Sequence, residues 1–265
     1  MAVVSVREQG RFVKKLIFWF AVTGLFMSAV AGCGADAANI VTASEASAAA
    51  AASVLYAQGL SRADAGDFPG AIDDYEASVE LNPYNADALL AKGIAHAAMG
   101  DLLDAINSYA SAIEIAPDHA RAHLNLGSIY GNTGRYAQAV AHSSETIELD
   151  PSLSVAFFNR ARAYGSLGMP ELAVADLDAF LNANPGDAEA YYYRGMYSAD
   201  LGRYDDALRD YGTAIGLMPQ FEQAHRSRVV LNFILDRRAG LDTSLAEAAL
   251  AGVEVELPGV GLFER

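Results

Sequence analysis

The chain has 265 residues, 52% hydrophobic and 19% charged. That is enough apolar material for one extended domain or two compact ones, and too much for a disordered or collagen-like chain. Its 33 acidic residues against 18 basic ones leave a formal charge of -15, which repels phosphate backbones and argues against a nucleic-acid partner. One cysteine can form neither an intramolecular disulfide nor a zinc site built on paired cysteines.

In chain order, Arg7, Arg11, Lys14 and Lys15 precede an uncharged apolar run from Leu16 to Val30, followed by small residues and Cys33. This is the layout of an export signal, and the run is shorter than the about 17 to 25 residues of a spanning helix. Val30-Ala31-Gly32-Cys33 resembles the bacterial lipobox. That resemblance implies that residues 1–32 are a signal peptide, that Cys33 is lipidated and that the mature chain is anchored facing the periplasm. Gly34 after the cysteine favours an outer membrane where the host has one. The other reading of the region is an Ala29-Val30-Ala31 cleavage site that releases a soluble periplasmic or secreted protein. Without residues 1–32 the chain loses four basic residues and one acidic one, leaving 14 against 32, a net of -18. Residues 33–51 read as a lipid-proximal tether, ordered in its second half, where Thr42 and Glu45 have capping-box spacing before an alanine-rich helix.

The body is periodic. Pro83, Pro117, Pro151, Pro185 and Pro219 recur every 34 residues, as do Gly66, Gly100, Gly134, Gly168 and Gly202. Ala71, Ala105, Ala139, Ala173 and Ala207 form a third series, and Gly59, Gly93, Gly127, Ala161 and Gly195 a fourth. Within each unit a 3.6-residue apolar pattern stops at the glycine and resumes, which predicts two helices packed closely at their small residues. Asn85 and Asp187 are placed to cap first helices; Pro69 and Pro170 sit in the first turn of second helices.

The period and its small-residue signature resemble the tetratricopeptide repeat, with five copies at 52–85, 86–119, 120–153, 154–187 and 188–221. The resemblance implies an all-α, right-handed superhelical solenoid of antiparallel helix pairs, its first helices lining a concave groove. Past Phe221 the period fades. Residues 222–265 read as a capping helix over Gln223–Leu235 and a second short helix near Ser244, together a degenerate sixth pair, followed by a tail; Arg226, Arg228, Arg237 and Arg238 sit on solvated helix ends.

By the same resemblance the groove wall carries position 5 of each repeat, Tyr56, Leu90, Leu124, Phe158 and Tyr192. Asn125, Asn159 and Tyr193 follow at position 6 and Arg162 at position 9. Asparagines there imply main-chain binding of a partner protein's segment. The carboxylate clamp of the chaperone-binding subgroup is not matched, because Leu90, Ile94 and Tyr193 replace its Lys, Asn and Arg. His119 and His123 have metal-ligand spacing beside Asp118, yet His123 occupies the repeat position of Phe157 and Tyr191 and reads as packing. The acidic clusters Asp73-Asp74, Asp176/Asp178 and Asp205-Asp206 read as solvated outer faces. No catalytic, metal, cofactor or small-molecule constellation stands out. The expected function is a membrane-anchored protein-binding scaffold of the bacterial envelope; a ligand-free spacer and a soluble enzyme are the other readings.

Overall fold

A computed structural model describes residues 34–239; Cys33, the signal segment and the expected second cap helix near Ser244 with the tail lie outside the described residues. Two compact units divide at Ala50/Ala51, and all five repeats belong to the second. Eleven helices occupy the described residues: α1 (Gly34–Asp64), α2 (Phe68–Leu81), α3 (Ala86–Met99), α4 (Leu102–Ile115), α5 (Ala120–Asn132), α6 (Tyr136–Leu149), α7 (Val155–Ser166), α8 (Pro170–Ala183), α9 (Ala188–Asp200), α10 (Tyr204–Leu217) and α11 (Glu222–Ala239). None of them is long and apolar enough to cross a membrane.

The segment expected as a partly ordered tether is helical from Gly34 onward, eight residues before the anticipated start at Thr42. Its composition explains the difference: no proline interrupts it, no glycine recurs before Gly59, and alanine has the highest helix propensity.

The repeat signals translate into local structure one by one. Gly66, Gly100, Gly134, Gly168 and Gly202 all hold φ between 73° and 85°, at the turn from first to second helix. A Cβ at Gly100 would meet nothing within 4 Å, so the left-handed backbone alone demands glycine. Asn85 accepts from the Ala88 amide at 3.1 Å and Asp187 from the Ala190 amide at 2.8 Å, capping α3 and α9 as expected. Pro69 and Pro170 occupy the first turn of α2 and α8.

Close approach within each pair is steric in origin. A Cβ on Gly93 would come within 2.5 Å of the Tyr109 ring, and one on Gly195 within 2.9 Å of Tyr211. Where the fourth copy has Ala161 in place of glycine, the facing aromatic is replaced by Leu177, and both are fully buried. The alanines of the second helices, Ala71 through Ala207, are likewise 0% exposed. Each helix from α2 onward packs on the next, and α5, α7, α9 and α11 also touch one another in series. The result is an all-α solenoid of helix pairs.

The period does not stop at Phe221. Ala224 is fully buried, as Ala88, Ala122, Ala156 and Ala190 are at the same repeat position. His225 Nε2 lies 2.9 Å from the Pro219 carbonyl, as His123 Nε2 lies 3.1 Å from that of Pro117. Thus α11 is the first helix of a sixth unit, in register with the rest.

The acidic residues on second helices are not all solvated. Asp74, Asp176 and Asp210 are buried: Arg62, 12 positions earlier, pairs with Asp74 at 3.2 Å, and Arg160 and Arg194, 16 positions earlier on the paired first helices, face Asp176 and Asp210. Arg160 donates to both carboxylate oxygens of Asp176, at 2.7 and 2.8 Å, and to Ser144 of the preceding repeat at 3.0 Å. Arg194 repeats the device, gripping Asp210 at 2.7 and 2.8 Å and Asp178 of the preceding repeat at 2.7 Å. These bidentate staples fix the pairing within a repeat and the register between repeats. Asp206 faces solvent with Arg209, as the solvated reading requires.

Candidate functional site

The first helices of the third, fourth and fifth repeats, α5, α7 and α9, form the walls of an open cleft of about 440 Å³. A departure in the repeat marks its lining. Position 12 is alanine in the first, second and fifth copies (Ala63, Ala97, Ala199) but glycine in the third and fourth (Gly131, Gly165), and both glycines line the cleft. A Cβ on Gly165 would collide with the ring of Tyr197, which lies across that helix.

Ser128, Asn132, Asn159 and Ser166 supply neutral polar groups to the cleft, Tyr193, Met196 and Tyr197 its apolar surface, and Asp200 an exposed carboxylate. Arg162 is half-buried among them. Its guanidinium lies 5.6 Å from the centroid of Tyr193 and 5.9 Å from that of Phe158, and these two rings meet edge-on at 5.8 Å. The arginine is thereby held over an aromatic floor by cation–π attraction. Burial pushes the Tyr197 phenol up to about 12, helped by Tyr193, while Arg162 pulls in the other direction. At neutral pH it is an uncharged hydroxyl.

The match of the tetratricopeptide repeat family model covers residues 56–117, 90–154 and 158–220. The chain belongs to the tetratricopeptide repeat family. Among curated proteins none matches it. Among solved structures, one MamA protein is 23% identical over 65% of this chain and 96% of its own, with a TM-score of 0.59. Another MamA structure is 25% identical over 61% and 95%, with a TM-score of 0.57. YrrB, described as a TPR protein with an unusual peptide-binding site, is 19% identical over 66% and 90%, with a TM-score of 0.60.

Within this tetratricopeptide array the anticipated groove residues separate into two sets. Asn159, Arg162 and Tyr193 come together in the cleft. Four of the position 5 residues, Tyr56, Leu90, Phe158 and Tyr192, lean into the seams between helices. Leu90 is only 8% exposed and belongs to the core around Tyr109 and Leu126. Tyr56 packs on Tyr75 at 6.0 Å and Phe158 on Phe180 at 5.2 Å. Tyr192 is surrounded by Tyr193, Tyr211 and Phe221, the last at 5.1 Å. Leu124 is half-buried outside the cleft lining. Asn125 shares a hydrogen bond with the Tyr109 phenol, which burial pushes up to about 12 against that bond's pull. Asn125 therefore spends its polarity on the core.

Ser166, Tyr197 and Asp200, at positions 13 and 10, are cleft residues that the family's usual groove positions did not indicate. The two glycines at position 12 were the available signal. The histidines fall elsewhere. His119 Nε2 is 3.2 Å from Asp87 at the start of the same repeat. His123 Nε2 must carry its proton toward the Pro117 carbonyl, which leaves Nδ1 to accept from His142 Nδ1 at 3.1 Å. Among the described residues no three His, Cys, Asp or Glu side chains converge as a metal site.

Proposed function

We propose that this protein is a non-catalytic scaffold of the bacterial envelope, anchored through lipidated Cys33, which holds an extended segment of a partner protein against the first helices of its third to fifth repeats. The observation that carries this reading is the cleft itself: three successive helices present side-chain amides, hydroxyls and aromatic surface around about 440 Å³ of open space. Such a mixture suits a polypeptide, whose main chain needs hydrogen-bond partners and whose side chains need apolar contact. The peptide-binding description of YrrB accords with it. The resemblance of Val30–Cys33 to a lipobox supports the anchor and, with it, a partner in the membrane-proximal envelope.

Photo-crosslinking in intact membranes tests the reading. A benzophenone amino acid at Asn132, on the cleft rim, should give a discrete protein adduct, whereas one at exposed Glu145 on α6 should not. Ser128→Trp, which fills the cleft, should abolish the adduct. A ligand-free spacer predicts no adduct at Asn132, or equal adducts at both sites.

A further inference from the structure

Resting on that reading, the geometry points to a specificity rule: the cleft takes a segment bearing a single acidic side chain, whose carboxylate pairs with Arg162. Three observations carry it. First, Arg162 differs from its counterparts. Arg160 and Arg194 are half-buried too, but each is gripped by buried carboxylates on its paired helix. Among the described residues no carboxylate lies within ion-pair distance of Arg162, whose neighbours are the rings of Phe158 and Tyr193. A partly desolvated guanidinium on an aromatic floor keeps its five donors directed outward, and loses little side-chain freedom when a carboxylate arrives.

Second, Arg162 lines open space beside Asn159 and Ser128, so an arriving carboxylate can be flanked by neutral hydrogen-bonding groups. Third, Asp200 lines the same cleft and the chain carries a net charge of -15, so a run of acids would be repelled where one acid is tolerated. Exposed Ile94 and Leu60, one and two repeats before Ser128 at the same repeat position, extend an apolar wall beyond the polar cleft. A segment with its acid over Arg162 and apolar residues toward α3 and α1 matches that order. The wall continues past the cleft, so a passing side chain and not a chain end is the committed source of the carboxylate.

The test is selection of random amidated dodecapeptides on the full-length protein in detergent. The wild type should enrich peptides with one Asp or Glu by about tenfold over the input, the ratio that one such pair supplies. Arg162→Lys should keep the preference in weakened form, and Arg162→Glu should invert it toward Lys or Arg, an outcome that requires a folded protein. A parallel library with free carboxyl ends separates the sources: enrichment only there, without an internal acid, overturns the side-chain assignment. Peptides selected with no acidic preference, yet lost on Ser128→Trp, would overturn this rule and leave the groove reading standing. If no peptide is selected at all, both fall.

Discussion

Asp176 and Asp178 lie two residues apart on one helix, and the structure gives them opposite weights. Asp176 is 7% exposed and receives both guanidinium donors of Arg160, whereas the Asp178 side chain is 54% exposed and takes one donor from Arg194. Asp176→Ala would leave Arg160 with Ser144, the rings of Phe157 and Tyr164, each 5.8 Å away, and only the Coulombic pull of Glu148 as counter-charge. Breaking a fully buried pair costs about 3 to 5 kcal/mol. The Arg160 side chain retains 19% exposure and some hydration, so about 2 to 3 kcal/mol is expected here. Asp178→Ala should cost no more than about 0.5 kcal/mol, since Arg194 keeps Asp210. Urea unfolding followed by circular dichroism at 222 nm measures both variants, with Arg160→Ala and the double variant closing a cycle for the pair. Equal midpoints for Asp176→Ala and Asp178→Ala, or a coupling energy near zero, would refute the staple.

Ala139→Trp, at a fully buried contact between α5 and α6, should destabilise the array by about 1 to 3 kcal/mol or more through overpacking, read in the same urea experiment. Burial, then the charge of His123, lowers the His142 pKa below 6.5, with Glu145 pulling weakly the other way. Its unfolded form binds the proton more readily, so stability should be complete above about pH 6.5 and fall as pH drops toward the lowered folded value; His142→Asn, which keeps the donor to His123 without titrating, should flatten that slope. Cys33→Ala should move the protein from washed membranes to the soluble fraction and remove the added acyl mass from the mature chain; a variant that still sediments would refute the anchor.

Much of this molecule was legible before any coordinates, because a 34-residue period fixes each residue's environment by repetition. Glycine at a positive φ, alanine at a helix contact and proline past a helix end each have one physical reason, repeated five times. What the period concealed were differences between copies. Asp74 and Asp176 looked like solvated charges since helical position alone does not tell that an arginine partner sits 12 or 16 residues earlier, Arg62 for the first and Arg160 for the second. Ala224 and His225 kept the register after proline and glycine had ceased to mark it. The groove was the least legible part. Position 5 is large and apolar in every copy, which suits either a binding wall or a seam, and packing against Tyr75, Phe180 and Phe221 decides for the seam. The cleft is lined instead by residues that differ between copies, among them Gly131 and Gly165, the second of which admits the Tyr197 ring.

A partner segment should occupy this cleft. The most direct measurement is the affinity of the crosslinked partner's segment, by isothermal titration, for the wild type, Asn159→Ala and Ser128→Trp, each shown by circular dichroism to melt as a folded array. Ser128→Trp should lose at least about 2 kcal/mol, some thirtyfold, with a smaller loss for Asn159→Ala, if the segment sits in the cleft. Unchanged affinity in both folded variants would contradict it.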